Sequence, residues 1–142
     1  MQDFRELKVW QKAHELTLEV YRATADFPRE ELYGITSQIR RCAASVPANL
    51  AEGRCRRTDR EFGRFVAIAL GSASETEYFL LLSRDLGFID AARYDRLAQR
   101  VEEVKKMLTA FHTRLTGKGG EAFTAANRME ARANGRRLKA DG

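Results

Sequence analysis

Apolar side chains recur at steps of three and four residues along most of this chain, and no other feature constrains its fold as much. The clearest run extends from Tyr94 to Leu115, where seven apolar residues follow that spacing. The spacing is typical of an α-helix that buries one narrow face. The chain holds only two prolines and few segments with the alternation typical of strands. The sequence therefore predicts an all-α protein.

Helix-breaking residues divide the chain into four helices. Phe27 and Pro28 end the first, and Gly53 is expected to end the second in the left-handed conformation that other residues resist. The capping box "TDRE" opens the third helix, and Asp90 caps the fourth. The predicted helices cover about residues 4–26, 30–52, 58–87 and 90–116. Four such helices predict a four-helix bundle.

The length of 142 residues suits a single domain. No apolar period continues beyond Thr116, so we predict a bundle over residues 1–116 and a flexible basic tail over residues 117–142. Arg5 and Lys8 stand where a signal peptide would need an apolar run, and no segment reaches about eighteen consecutive apolar residues. We expect a cytoplasmic protein without a membrane segment.

Helices 1 and 3 are apolar over more of their circumference than one bundle core requires. Helix 1 carries two apolar stripes roughly 140° apart. One begins with Leu7 and Trp10, and the other with Val9 and Ala13. Helix 3 contains "FVAIAL" and "YFLLL", which leave little polar surface across its middle. A helix in a monomeric bundle buries one face, so the second faces predict a homo-oligomer rather than a larger monomeric core.

Helix 2 contains a proline and several polar residues in its middle. Pro47 cannot donate a hydrogen bond to the carbonyl of Ala43, so we expect a kink there. The pattern predicts a half-buried polar strip beside it, made of Ser45, Asn49 and Glu52. In helix 3, Gly71 and Ser72 would let the backbone approach closely, and Glu75 would accept hydrogen bonds. We assign this strip a structural role.

The same segments resemble a known protein family. The runs "QIRRCAASVPANLAEG" and "EFGRFVAIALGSASETE" are similar to the signature of four-helix proteins encoded by intervening sequences in bacterial 23S ribosomal RNA genes. The runs "FRELKVWQKAHELTLEVYRAT" and "FPREELYGI" fit the same family, so the resemblance covers about residues 4–115. It implies an antiparallel up-down-up-down bundle, commonly a ring-shaped homopentamer, associated with nucleic acid and without established catalysis. The family is also related to the accessory protein of diversity-generating retroelements, which works beside a reverse transcriptase.

Metal-binding and catalytic chemistry find little support in the residues. A di-iron bundle uses Glu-x-x-His motifs, and neither His14 nor His112 follows a glutamate at that spacing. We predict no metal and no cofactor, and we expect His14 to pack in the core. Glu52 and Glu75 would form an acid/base pair if a cleft joined them, but no nucleophile or phosphate loop accompanies them. An enzyme is therefore the least favoured interpretation.

Five arginines lie within eleven residues at the connection between helices 2 and 3, namely Arg54, Arg56, Arg57, Arg60 and Arg64. The helix dipole accounts for one or two of them near the end of helix 2. In an up-down-up-down bundle this connection shares one end with the N-terminus and the tail, so positive charge collects at one pole. The formal net charge is +5. We predict contacts with phosphates. We do not predict base stacking, because we expect no aromatic side chain to lie among these arginines.

The favoured hypothesis is a non-enzymatic, homo-oligomeric scaffold that binds RNA or other nucleic acid through this basic pole, with the pentamer taken from the family resemblance. The alternative is a protein-interaction adaptor, for example an accessory subunit of a reverse transcriptase. An enzyme that uses Glu52 and Glu75 is the third hypothesis.

Overall fold

The computed structural model describes residues 3–117 and contains four α-helices in that part of the chain. The helices are α1 Lys8–Thr24, α2 Ile35–Arg54, α3 Asp59–Asp85 and α4 Ala91–Thr116, with short 3₁₀ turns at Phe4–Glu6 and Arg29–Glu31. No strand is present among the described residues. The predicted four-helix bundle is confirmed. The predicted tail lies outside the described residues beyond Gly117.

Each helix packs against its two neighbours around the bundle. α2 meets α3 over the most extensive seam, α3 meets α4, and α1 closes the bundle against α2 and α4. All four helices contribute fully buried side chains to one core, among them Leu16, Ile39, Val66 and Leu108. α1 and α3 therefore lie diagonally across that core.

The two ends of the bundle carry different parts of the chain. One end, here called the basic pole, holds the start of α1, the α2–α3 connection and the end of α4. The turn Phe4–Glu6 contacts α2 there. The opposite pole holds the α1–α2 and α3–α4 connections, which are joined by the rings of Phe27 and Phe88 at 5.4 Å between centroids. α1 and α3 both run from the basic pole to the opposite pole.

The two apolar stripes of α1 differ in how deeply they are buried. The stripe that begins with Val9 and Ala13 is buried in the core and continues to Phe27. In the stripe that begins with Leu7 and Trp10, these two residues are half-buried at the edge of the core, and the residues from His14 onward are exposed. Two stripes so far apart on one helix cannot both face the same core. The expectation for His14 is wrong, since its imidazole is exposed and stacks on Trp10 at 4.9 Å.

Helix ends follow the predicted chemistry except at Gly53. The Thr58 hydroxyl accepts from the Glu61 amide at 3.2 Å, and Gly87 ends α3 with a φ of +78°. Gly53 lies inside α2, and among the described residues only Gly87 and Gly117 have positive φ. An added Cβ on Gly53 would lie 2.8 Å from the Phe65 Cβ. Gly53 is therefore required by close packing of α2 on α3, and its predicted left-handed conformation is wrong.

α3 is the longest and most apolar helix of the described chain. Its length and composition alone would allow it to cross a membrane. One face of α3 packs in the bundle core through residues that include Phe62, Val66 and Leu80. The opposite face carries the exposed side chains of Ile68 and Tyr78. Its apolar character therefore has two sources, the core and an outer surface.

Candidate nucleic-acid interface

The predicted arginine cluster lies at the basic pole, at the end of α2, the short connection and the first turns of α3. Arg56, Arg57, Arg60 and Arg64 are exposed, and Arg54 is half-buried. Arg114 and Lys8 are also exposed at the pole, on α4 and α1. The fold therefore gathers cations from every helix at one end of the bundle.

Aromatic rings support several of these arginines, contrary to the expectation from sequence. The Arg56 guanidinium lies 4.7 Å from the centroid of the Phe65 ring, and that of Arg54 lies 6.0 Å from Phe62. Phe62 is buried and stands between two arginines in the sequence. The rings hold guanidinium groups outward by cation–π contact. Phe62 is not an open platform for bases, because its ring is covered.

Local acids neutralise only part of this charge. Glu52 pairs with Arg56 at 3.0 Å, one helical turn away. Within residues 3–117, no carboxylate forms an ion pair with Arg57, Arg60 or Arg64. Arg60 lies in the first turn of α3, where the helix dipole disfavours cations. Helix stability therefore does not explain this side chain, and the pole keeps exposed positive charge that can meet an anion.

The polar strip of α2 faces α3 as a short hydrogen-bonded ladder. The Ser45 and Ser72 hydroxyls lie 2.9 Å apart. The Asn49 amide donates to the Ser45 carbonyl at 2.7 Å and lies 2.9 Å from its hydroxyl. Thr76 extends the ladder, although the sequence interpretation missed it, and its hydroxyl lies 3.2 Å from the Cys42 sulfur. These contacts fix α2 against α3.

The Cys42 thiol is enclosed by this seam. Burial raises its pKa, while the hydrogen bond from Thr76 opposes that shift. Because the thiolate is the reactive form, a buried thiol with a raised pKa is unreactive at neutral pH. Cys42 therefore acts as a packing residue.

Pro47 is buried in the middle of α2, which continues through it from Ile35 to Arg54. Its missing amide leaves the Ala43 carbonyl without its helical donor. The hydroxyl of Thr17 on α1 lies 3.1 Å from that carbonyl and 2.8 Å from the Ala13 carbonyl. The sign of this contact in the sequence is that Thr17, a polar residue, lies within the buried stripe of α1. Its partner follows only from the way α1 packs against α2. The kink itself stays a prediction.

Three residues of the predicted strip do not join it. An added Cβ on Gly71 would meet nothing within 4 Å, so Gly71 does not serve close contact with α2. Glu75 is exposed, and it makes no hydrogen bond or ion pair with the rest of the described chain. Glu52 is exposed and pairs with Arg56 instead.

Glu52 and Glu75 are also too far apart to act as an acid/base pair. The Thr76 contact places Cys42 beside this part of α3, so Glu75 lies near the level of Cys42. Ten residues of α2 separate Cys42 from Glu52, which is about 15 Å at the helical rise per residue. The fold therefore does not assemble the catalytic pair.

The remaining candidate ligands do not form a metal centre in the described chain. No three histidine, cysteine, aspartate or glutamate side chains gather within residues 3–117. His112 is buried near the basic pole, 4.0 Å from the position of an added Cβ on Gly63. That glycine is needed because the same Cβ would lie 2.7 Å from the Thr116 methyl group.

Comparison with known proteins agrees with this architecture. Residues 5–110 match the sequence model of the 23S rRNA-intervening sequence proteins. The chain belongs to this family. A search of curated proteins gives no match. A crystal structure at 1.70 Å from Bacteroides thetaiotaomicron VPI-5482, described as a protein with unknown function from the S23 ribosomal protein family, is 25% identical with a TM-score of 0.66. The similarity covers 73% of this chain and 97% of that one.

Proposed function

We propose that this family member is a non-enzymatic, cytoplasmic, homo-oligomeric scaffold that binds RNA through the phosphates at its basic pole. The observation that carries the proposal is the exposed set of Arg57, Arg60 and Arg64, which have no ion pair within the described chain. Arg60 stands where a helix dipole disfavours it. Exposed guanidinium groups are suited to phosphate oxygens because they donate in a planar fork.

Phosphate contact is favoured over base recognition by the state of the aromatic rings. Phe62 is buried, and Phe65 lies beneath the Arg56 guanidinium. Phe62 therefore offers no free face for a base, and one face of Phe65 is already occupied by the guanidinium. We therefore propose binding with little sequence preference and a steep dependence on salt.

The oligomeric part of the proposal rests on the outer faces of α1 and α3. Both carry large apolar side chains that the subunit itself does not cover. The family resemblance supplies the ring of five subunits. A ring would bring several basic poles together and raise the local concentration of positive charge.

A filter-binding titration with single-stranded RNA tests the RNA proposal. Arg57→Glu with Arg60→Glu should weaken binding at least tenfold for all sequences and flatten the salt dependence by roughly 0.7 per lost phosphate contact. A matched control is Arg22→Glu with Arg29→Glu, which makes the same charge change at exposed positions near the opposite pole. Both variants must assemble like the wild type. Equal affinity of the two variants would exclude the basic pole as the RNA contact.

A protein-interaction adaptor is the second candidate, and one observation favours it. The opposite pole exposes Tyr33 at 93% of its surface, together with Leu32 and Leu86. Exposed aromatic and aliphatic side chains are common anchors in protein interfaces. If the protein is an accessory subunit of a reverse transcriptase, Leu32→Ser with Tyr33→Ser should abolish copurification with that enzyme and leave RNA affinity unchanged.

A further inference from the structure

Two outer surfaces of the bundle are only partly covered within the subunit, and Leu7 and Trp10 of the first are half-buried at the edge of the core. The first, the α1 outer stripe, consists of Leu7, Trp10, His14, Leu18 and Tyr21, and the second, the α3 outer stripe, of Ile68, Gly71, Glu75 and Tyr78. Leu18 is 40% exposed, Tyr21 46%, Ile68 51% and Tyr78 57%. So much exposed apolar surface on two helices of one small bundle favours burial against another chain.

The two outer stripes lie on diagonal helices, so they face away from each other. A two-fold contact would join one surface to its own copy, whereas two different surfaces on opposite sides join head to tail. Head-to-tail contact produces a closed ring only if each step is a rotation about a common axis. In such a ring with its axis along the bundle, α1 of one copy runs parallel to α3 of the next, and equivalent residues stay at equal height.

The structure fixes which residues share a height. Phe27 and Phe88 touch at the opposite pole, and their numbers differ by 61. The last residues of α1 and α3, Thr24 and Asp85, also differ by 61. Residues of α1 and α3 whose numbers differ by about 61 therefore lie at the same distance along the bundle.

This rule pairs the two outer stripes residue by residue. Leu7 matches Ile68, Trp10 matches Gly71 and His14 matches Glu75, all at a difference of 61, and Leu18 matches Tyr78 at 60. We propose, building on the oligomer proposed above, that the α1 outer stripe of one copy packs in parallel on the α3 outer stripe of the next. Trp10 then lies over Gly71, and His14 contacts Glu75.

The proposed contact gives a role to residues that the subunit leaves unused. Nothing lies within 4 Å of an added Cβ on Gly71, so an indole has room there. Glu75 makes no hydrogen bond or ion pair within the described chain, and the exposed His14 imidazole would supply a donor for it. A groove of about 1090 Å³ between α3 and α4 adjoins the stripe and is lined in part by Tyr78 and Leu81. Tyr21 of the neighbouring copy would reach the level of Leu81.

Parallel packing also completes the basic pole. All copies point the same way, so the basic poles of neighbouring copies lie on the same rim of the ring. By the same rule Lys8 of one copy lies about 8 Å along the bundle from Arg64 of its neighbour, on the half of the ring that carries the basic poles. The RNA surface would therefore be shared between copies, with each interface adding cations from two chains.

Disulfide trapping tests the pairing and its register. In a Cys55→Ser background, Leu18→Cys and Tyr78→Cys are purified separately, mixed under conditions of subunit exchange and oxidised. We expect covalent dimers in the mixture and none in either variant alone, and the double variant should give a ladder that ends at the full ring. Leu18→Cys mixed with Ile68→Cys is the register control, because those positions differ in height by about 16 Å.

Each outcome supports or overturns a definite part of the proposal. Self-linking of Leu18→Cys alone would show a two-fold contact, and equal linking of the control pair would show another register. A wild-type mass near 16.1 kDa by light scattering would overturn the oligomer and the interface together. An oligomer without the expected link would overturn the interface alone. RNA affinity is measured separately, so a correctly linked ring that binds no RNA would refute the RNA proposal and leave the interface standing.

A charge exchange gives a second, independent test. His14→Glu places two carboxylates together and should reduce the light-scattering mass to that of a single chain. Glu75→Lys in the same chain should restore the oligomer. Both positions are exposed in the subunit, so circular dichroism should show unchanged helix content. Persistence of the oligomer in His14→Glu, or failure of the double variant to recover it, would contradict the proposed pairing.

Discussion

α2 is held in the bundle by short buried side chains, whereas α1 and α4 are joined across their surface by long charged ones. The hydroxyl groups of Thr17 on α1 and of Ser72 and Thr76 on α3 contact atoms of α2 at distances from 2.9 to 3.2 Å. Between α1 and α4, Arg100 pairs with Glu19 at 3.0 Å and Lys12 with Glu103 at 3.6 Å. A buried group that loses its partner cannot turn to water, but an exposed one can. Hydrogen bonds and ion pairs of similar length therefore contribute very different amounts to the free energy of unfolding.

The tight packing of α2 should give the largest effect. Gly53→Val would place a side chain within 2.8 Å of the Phe65 Cβ, and overpacking should lower the free energy of unfolding by about 3 kcal/mol. The same change at Gly71, where an added Cβ meets nothing, should change it by less than about 0.5 kcal/mol. Urea unfolding in the His14→Glu background separates these effects from assembly. Similar losses at both glycines would contradict the close approach at Gly53.

The Thr17 contact should give the next largest effect. Thr17→Val leaves the Ala43 carbonyl without a donor and should lower the free energy of unfolding by about 2 kcal/mol. Thr17→Ser keeps the hydroxyl and should lose much less. Pro47→Ala restores a backbone amide to that carbonyl, so Thr17→Val should have a smaller effect in that background. A double-mutant cycle measures this coupling, and strict additivity would show that Thr17 does not compensate for Pro47.

The arrangement of the bundle was predictable from sequence, but the partners of its polar residues were not. Periodicity located the four helices, and the capping residues Thr58 and Asp90 behave as their type predicts. Periodicity could not tell which stripe of α1 faces the core, so His14 was placed on the wrong side. The sequence predicts Gly53 as the left-handed end of helix 2, because a close interhelical contact leaves no local signal. The partnership of Thr17 with Pro47 depends on interhelical register, which only the packed structure supplies.

The candidate site shows the same division between composition and geometry. The sequence predicts the clustering of arginines such as Arg57 and Arg60, because these residues are close together in the chain. The support of Arg56 by Phe65 was not recognised, since it requires the turn between α2 and α3 to bring the two side chains together. Glu52 on α2 and Glu75 on α3 would form a pair only if a cleft joined them, and their different heights along the bundle separate them.

The buried seam also predicts a response to pH, smaller than the effects of these substitutions. Burial raises the pKa of Cys42, so the unfolded chain releases this proton at lower pH than the folded chain does. Stability is fully present below the ordinary range of a thiol and should fall as the pH rises through that range. Urea titrations across alkaline pH should show a shallower fall in Cys42→Ala. The same slope in both proteins would exclude the thiol as the source.

Thiol labelling checks the same burial at neutral pH. Cys55 is exposed and Cys42 is buried, so a thiol reagent should modify one cysteine at once and the second only as the bundle opens. Thr76→Val removes the hydrogen bond to the Cys42 sulfur. Valine and threonine have nearly the same size, so the substitution should leave the α2–α3 seam closed. The rate of the slow labelling phase should therefore stay within about tenfold of the wild-type rate, as expected for a loss of about 1 kcal/mol in the free energy of unfolding. Two equally fast cysteines would show that the α2–α3 seam is open in solution.

The surface of α1 and α4 should give the smallest effect. Arg100 is 38% exposed in its side chain, and Glu15 and Glu19 on α1 are 54% and 21% exposed, although the Glu19 Oε2 atom itself is covered. Water and salt screen such pairs, so Arg100→Ala should lower the free energy of unfolding by about 0.5 kcal/mol, and less at high ionic strength. Lys12→Ala serves as a matched test of the other ion pair and should have no larger effect. If either substitution destabilised the bundle as much as Thr17→Val, partner loss on this surface would be as severe as in the buried seam. The contrast between α2 and the α1–α4 surface would then have to come from packing rather than from access to water.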